Sequence, residues 1–140
     1  MNEVNGQLPA DAPVWHHPGR LVSVVDGDTV DLEYDLGFNC RKSDRLRLYG
    51  VDTGEIHGTA RDSKEYRRGI KHTRFVRSWL KDASAAYVTD TDSKGWPFSV
   101  HTLQRRGKFR WVGDICRRTD NQSIVFALFD EFGQSIGYDR

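Results

Sequence analysis

Five stretches of the chain predict β-strands, and in most of them hydrophobic and polar residues alternate with a period of two. The clearest stretch is Arg45–Val51, where Leu46 and Leu48 fall on one face while Arg47 and Tyr49 fall on the other. Such a strand buries one face and leaves the other exposed. The other four predicted strands are Leu21–Val25, Thr29–Asp35, a segment beginning at Phe98, and Phe109–Cys116.

One long segment repeats hydrophobic residues every three to four positions, which is the spacing of an amphipathic helix. This predicted helix begins at Asp62 or Ser63, either of which can cap its N-terminus, and ends at about Leu80. Residues 82–96 mix Asp, Ser, Ala and Gly and therefore predict a loop, with room for a short strand at residues 86–89.

A second helix is predicted from Ile124 to Phe132, where Gly133 ends it. Five strands, with one helix between the third and fourth and another at the C-terminus, predict a mainly β, α+β fold that fits a five-stranded OB-fold barrel. Residues 1–19 contain three prolines and little periodicity, so we expect a flexible N-terminal arm. Residues 20–140 then form a single domain.

Composition narrows the class of protein. The 140 residues suffice for one hydrophobic core and not for two. Cys40 and Cys116 are too few for a disulfide scaffold and lack metal-site spacing, so we expect free thiols, with a single bridge as the alternative. No long apolar run and no secretory signal is apparent, and we therefore expect a cytoplasmic protein that does not bind membranes. We also expect a monomer.

The net charge of +1 conceals a segregation of charge along the chain. Residues 26–35 carry five acidic and no basic side chains. Residues 61–81 carry eight basic against two acidic side chains, and residues 104–118 carry six against one. An acidic segment can bind a cation while separate basic segments bind a polyanion beside it. Surface helices, however, are often charged without such a role.

Two acidic motifs stand out against this background. Asp26-Gly27-Asp28-Thr29-Val30 contains the Asp-Gly pair of a hairpin turn together with a second carboxylate that a turn does not need. The predicted strand at Arg45–Val51 leads into Asp52, Thr53 and Glu55, which cluster oxygen atoms at its end. Oxygen-rich clusters of this kind suit a hard cation such as Ca²⁺.

Together, D-G-D-T-V and R-L-x-G-V-D-T-x-E resemble the staphylococcal nuclease (thermonuclease) family, from about Leu21 to the end of the chain. The resemblance implies an OB-fold and a calcium-dependent endonuclease that hydrolyses DNA, with RNA as a further candidate substrate. Water would attack phosphorus and the 5′ oxygen would leave, giving 3′-phosphate ends. The resemblance further implies a bacterial or phage origin. Three departures are Gly54 where the family usually has proline, the absence of a glycine before Arg110, and the absence of a third C-terminal helix found in some members.

The resemblance also assigns roles to particular residues. Asp28, Asp52 and the carbonyl of Thr53 are expected to bind Ca²⁺, and Asp26 is a supporting carboxylate or a simple turn residue. Glu55 is expected to act as the general base.

Positive side chains would complete the site. Arg47 is expected to hold the reacting phosphate through a two-pronged hydrogen bond, and Arg110 is the candidate for a second arginine near the leaving oxygen. The basic residues of the turn before it, Arg105, Arg106 and Lys108, are expected to bind flanking phosphates.

Other functions remain open from the sequence. The acidic residues could simply form turns, and Arg47 could belong to a surface ion pair of ~0–1 kcal/mol. A non-catalytic OB-fold module that binds single-stranded nucleic acid through its basic faces is the main alternative. A structural or protein-binding barrel is a third.

Overall fold

The computed structural model describes residues 15–53, 56, 63–91, 95–104 and 111–137. Five strands form a closed barrel in the order β1–β2–β3–β5–β4. Neighbouring strands are antiparallel except β3 and β5, which are parallel. The strands are β1 (Trp15–Asp26), β2 (Thr29–Asp35), β3 (Arg41–Leu48), β4 (Phe98–Gln104) and β5 (Trp111–Arg117).

Helices accompany the barrel. Helix α1 (Lys64–Thr91) lies between β3 and β4 in the chain, and α2 (Ile124–Phe132) follows β5. A short 3-10 turn, Gly133–Ile136, comes after α2. The predicted α+β class and the five-stranded barrel are confirmed, and the arrangement is consistent with an OB-like barrel. Among the described residues, no helix combines the length and apolar character needed to cross a membrane.

The barrel interior is filled by the alternate residues that the pattern predicts. Val30, Leu32 and Tyr34 of β2 are buried, and so are Leu46 and Leu48 of β3. Their intervening neighbours are partly or fully exposed, as a strand with one buried face requires. Strand β3 begins four residues earlier than predicted, so the loop joining it to β2 is shorter.

Helix α1 is much longer than predicted. It contains 28 residues and continues through most of the segment predicted as a loop or short strand, which is therefore corrected. The extension is rich in alanine, the strongest helix former, and Ala83 is buried in the core. Ser63 caps the helix, because its hydroxyl accepts a hydrogen bond of 3.1 Å from the main-chain N–H of Tyr66.

The first strand begins inside the segment assigned to the flexible arm. Residues 15–19 pair with β4, from Trp15 opposite Thr102 to Gly19 opposite Phe98. They therefore belong to the barrel, and the predicted boundary after residue 19 is corrected to precede Trp15. Regular alternation is hidden in the sequence here because Pro18 is uncommon within strands and the two histidines beside it are amphipathic.

Helix α2 is anchored to the barrel through a half-buried carboxylate. Asp114 accepts the hydroxyl hydrogen of Ser123, the residue that caps α2, and the main-chain N–H of Val125 over 3.3 Å. It also accepts the N–H of Ile115 over 2.8 Å. Burial raises the pKa of Asp114, and the three hydrogen bonds oppose that rise. Polar contacts therefore hold the start of α2 against β5.

Candidate metal and phosphate site

The turn between β1 and β2 places one carboxylate inside the protein. Asp28 is only 6% exposed. Its main-chain N–H donates to Oδ1 of Asp26 over 3.1 Å, so Asp26 has the turn-forming role. The Oδ1 atom of Asp28 accepts the hydroxyl hydrogen of Thr29 over 2.9 Å. The extra carboxylate of the D-G-D-T-V motif is thus directed inward and held by its neighbours.

The end of β3 and the residues after it approach this carboxylate. The main-chain N–H of Thr53 donates to Oδ2 of Asp28 over 3.3 Å. A terminal nitrogen of Arg47 lies 3.5 Å from the same Oδ2 and 3.4 Å from the carbonyl oxygen of Val51. The structure therefore brings three sequence-predicted residues, Asp28, Arg47 and Thr53, into one cluster.

Asp52 is positioned chiefly through its main chain. Its N–H donates to the carbonyl of Ile136 over 2.6 Å, and its carbonyl oxygen lies 3.5 Å from a terminal nitrogen of Arg68. Val51 also pairs with Gly137 as an isolated bridge. The residues after α2 and the first turns of α1 thus hold the segment that carries Asp52, whose side chain is exposed.

Helix α1 contributes a wall that the sequence did not reveal. A Cβ atom on Gly27 would lie 2.7 Å from Cβ of His72 and 2.9 Å from Cβ of Thr53. The imidazole of His72 packs edge-on against Phe132, with ring centroids 4.5 Å apart. Gly27 is therefore required for the turn to approach the helix so closely.

The surroundings of this histidine disfavour its protonation. Burial lowers the pKa of His72, the positive charges of Arg68 and Lys71 lower it further, and the negative charge of Asp28 opposes them. Both Arg68 and His72 were missed as site residues. The available signal for His72 was its spacing, because it lies three residues after Gly69 and four before Val76 on the buried side of α1.

The donor atoms are of the type that a hard cation prefers, which is oxygen. A carboxylate has about four lone-pair sites, and those of Asp28 are partly occupied by hydrogen bonds from the protein. Among the described residues, the hydroxyl oxygen of Thr53 is buried without a hydrogen-bond partner. Within the described ranges, no three His, Cys, Asp or Glu side chains assemble into a metal-binding group. The oxygens present thus fit part of a cation's ligand set.

The remaining predicted site residues, Glu55, Arg105, Arg106, Lys108 and Arg110, lie outside the described residues, so their roles stay predictions.

Two carboxylates on the acidic face of β2 form ion pairs with arginines of the neighbouring strands. Nε of Arg45 lies 2.9 Å from Oδ1 of Asp31, and Nε of Arg20 lies 2.6 Å from Oε1 of Glu33. The Arg45 hydrogen bond and charge lower the pKa of Asp31. Neighbouring strands therefore neutralise much of the charge that the sequence concentrates in residues 26–35.

Comparison with known proteins adds little to this geometry. No family model matches the chain. An uncharacterized protein of Methanocaldococcus jannaschii is 33% identical to it over 92 residues, which cover 56% of this chain and 42% of that protein. The chain thus spans less than half the length of this relative, whose description gives no activity.

Proposed function

We propose that the protein is a calcium-dependent nuclease of the staphylococcal nuclease type, built on an OB-fold, that hydrolyses phosphodiester bonds in DNA, with RNA as a further candidate substrate. One observation carries the proposal: the buried carboxylate of Asp28 lies beside both Arg47 and the main chain of Thr53. These residues come from the two motifs that resemble the family. Their convergence at one end of the barrel is what a shared site requires.

Asp28, Asp52 and the carbonyl of Thr53 would hold the Ca²⁺ ion. When bound, the ion would supply Lewis-acid polarisation of a phosphate oxygen. The side chain of Thr53 offers a further oxygen there, because its hydroxyl is buried without a partner among the described residues, and such an atom is costly unless a ligand satisfies it.

Arg47 would bind the phosphate that reacts. Its side chain is 21% exposed, so it is partly shielded from water and still reachable by a substrate. Charge stabilisation is strongest where water is largely excluded and the donor is already in position. The planar guanidinium suits the tetrahedral oxygens of a phosphate better than a lysine ammonium does.

Glu55 would accept the proton of the attacking water, and Arg110 would stabilise charge on the departing 5′ oxygen. Products would then carry 3′-phosphate ends. Both roles rest on the resemblance of the sequence motifs. Further basic residues would bind phosphates beyond the reacting one. They are Arg105, Arg106 and Lys108, together with exposed residues of α1 that include Arg67, Arg68, Lys71 and Arg74.

A non-catalytic module that binds single-stranded nucleic acid is the second candidate. The observation favouring it is that both oxygens of Asp28 already accept hydrogen bonds from the protein. In such a module Asp28 would only close the end of the barrel. Binding would then occur through the basic surfaces without any need for metal.

A cleavage assay separates these functions. The full chain is incubated with end-labelled DNA and RNA in calcium, in magnesium, and in excess chelator. We expect cleavage with calcium and none with chelator, while circular dichroism shows an unchanged fold. Products should resist polymerase extension until a phosphatase removes the 3′-phosphate. Strand binding without cleavage in any metal would support the binding module, and full activity in chelator would exclude the metal mechanism.

A further inference from the structure

A cavity opens at the end of the barrel opposite the Asp28 site. Its volume is about 210 Å³. Tyr34 and Thr29 lie near opposite ends of β2 and are five positions apart, so about 17 Å of strand separates the Tyr34 side of the cavity from the Asp28 turn. The cavity is lined by Trp15, His17, Tyr34, Leu36, Lys42, Asp44, Thr102 and Trp111.

Aromatic rings form much of the cavity wall. Trp15 and Trp111 meet edge to face with ring centroids 5.9 Å apart, and His17 and Tyr34 do so at 6.2 Å. Strand pairing fixes these positions, because Trp15 lies opposite Thr102 and Trp111 lies opposite Leu46. Aromatic rings on rigid strands are the usual means of binding flat ring systems, since stacking demands little reorganisation.

A polar group without a partner lies in this wall. The hydroxyl of Tyr34 is buried and has no hydrogen-bond partner among the described residues. Buried tyrosine hydroxyls usually have one. Burial raises the pKa of Tyr34, and the nearby charges of Asp44 and Asp31 raise it further. The hydroxyl therefore stays protonated at neutral pH and is available as a donor as well as an acceptor.

The charges at the rim compensate one another. Nζ of Lys42 lies 3.7 Å from a carboxylate oxygen of Asp44. The rim thus offers both a donor and an acceptor without a net charge, which disfavours a phosphate or carboxylate ligand. A neutral ligand with hydrogen-bonding atoms at its edge is the complementary choice.

Size limits the ligand to one small ring system. An engineered cavity of about 150 Å³ in another protein admits benzene, so the present cavity accommodates a somewhat larger ring. We propose that the barrel mouth binds a neutral, planar heteroaromatic ring, namely a nucleobase, stacked on the tryptophans and hydrogen-bonded by Tyr34. The base can come from a free nucleoside or from an unpaired position of a strand. This inference does not depend on cleavage.

The four tryptophans provide an internal test. Adenosine and uridine are titrated, in chelator, into the ¹⁵N-labelled full chain while the indole N–H signals are followed. Signals of Trp15 and Trp111 should shift, and those of Trp79 and Trp96 should stay in place. Ribose should shift none of them. A short single-stranded oligonucleotide added in parallel shows whether a base within a strand enters the same cavity, and whether nucleoside competes with it.

Tyr34→Phe tests the hydroxyl, with Tyr87→Phe on α1 as the matched control. Loss of one hydrogen bond should weaken nucleoside binding about 3-fold to 10-fold, whereas binding of toluene, which has no hydrogen-bonding atoms, should not change. The control should leave both affinities unaltered. Equal nucleoside affinity in wild type and Tyr34→Phe would overturn the assigned hydrogen bond. Toluene binding without nucleoside binding, or no shift of Trp15 and Trp111 at millimolar ligand, would overturn the proposal.

If the protein binds nucleosides in this cavity but cleaves no strand, this inference stands and the proposed nuclease function is excluded.

Discussion

The main-chain N–H of Thr53 donates to the carboxylate of Asp28 although 25 residues separate the two along the chain. This contact joins the turn between β1 and β2 to the segment that follows β3. It also places the exposed Asp52 directly next to a residue in contact with Asp28. Each motif alone is compatible with an ordinary turn. The contact between them makes a shared site the better explanation.

Replacing Asp28 by asparagine should weaken calcium binding by at least about tenfold, because the side chain keeps its size but loses the charge that attracts the cation. Asp31→Asn is the matched control. It also removes an ion-paired aspartate of the same hairpin, but that aspartate lies on the outer face of β2 beside Arg45. Isothermal titration and the calcium dependence of cleavage measure the effect. Equal losses in both variants would contradict a specific role for Asp28.

Replacing Gly27 by alanine should distort the site. The new methyl group would lie 2.7 Å from His72 and 2.9 Å from Thr53, so the turn or the helix must move. We expect a loss of ~1–3 kcal/mol in the free energy of unfolding, together with weaker calcium binding. Ser23→Ala, on the exposed part of β1, should change neither quantity appreciably. Urea unfolding that gives wild-type stability for Gly27→Ala would show that the close approach is absent.

Asp114 should impose a specific pH dependence on stability. Its pKa in the folded state is raised above the ordinary 3.8, so ionisation costs more in the folded than in the unfolded protein. The contribution of Asp114 to the free energy of unfolding is therefore greatest below the ordinary pKa of 3.8. It falls as pH rises from there through the raised pKa of the folded state. Asp114→Asn should lack this component. Urea unfolding between about pH 4 and about pH 8 measures the free energy of unfolding of both proteins. The amount by which the variant is less stable than wild type should shrink as pH rises.

A deficit that is constant across this range would contradict the raised pKa of Asp114. His101, which lies opposite Asp114 in the β4–β5 pair, is retained in both proteins, and its titration contributes to the stability of each.

Two truncations test the corrected start of the domain. Removing residues 1–19 deletes the part of β1 that pairs with β4, together with the ring of Trp15 that packs on Trp111. Removing residues 1–14 keeps that part. We expect the longer truncation to cost at least about 2 kcal/mol more, a further drop in Tm of roughly 5 °C or more. Equal melting temperatures would mean that residues 15–19 add nothing to the barrel.

Arg110 and Arg105 should respond differently to replacement by alanine. If Arg110 contacts the reacting phosphate, Arg110→Ala should lower turnover by about 10²-fold or more, and Arg110→Lys should not restore it. Arg105→Ala should weaken strand binding modestly and flatten its dependence on salt. Single-turnover cleavage and binding at several salt concentrations separate the two effects. The reverse pattern would place the catalytic arginine within the preceding turn.

Local patterns alone were sufficient for several elements. The bounds of β2, the start of β4 and the whole of α2 agree with the prediction. In each of these segments the residues that pack inward follow the natural period of the element, so the local pattern and the tertiary environment agree. The predicted end at Gly133 is likewise a local property and is confirmed, and Ser123 caps the start of the helix.

Prediction was wrong where tertiary contacts outweighed the local pattern. The C-terminal part of α1 has too few large apolar residues to show a clear stripe, yet Ala83 packs into the core. Trp15 and its neighbours form a strand because β4 supplies their hydrogen-bonding partners. Neither the strength of a packing contact nor the presence of a neighbouring strand can be read from a short window of sequence.

The sequence by itself determined which residues carry the candidate chemistry, because carboxylates, arginines and turn-forming glycines are recognisable by type and spacing. Only the tertiary structure decided that Asp28 is buried beside Arg47 and Thr53, that α1 contributes His72 and Arg68, and that arginines pair with the acidic face of β2. The physical reason is that these contacts depend on strand register and on the closure of the barrel. Both are set by long-range packing, and a one-residue change of register would turn the same side chains to the opposite face.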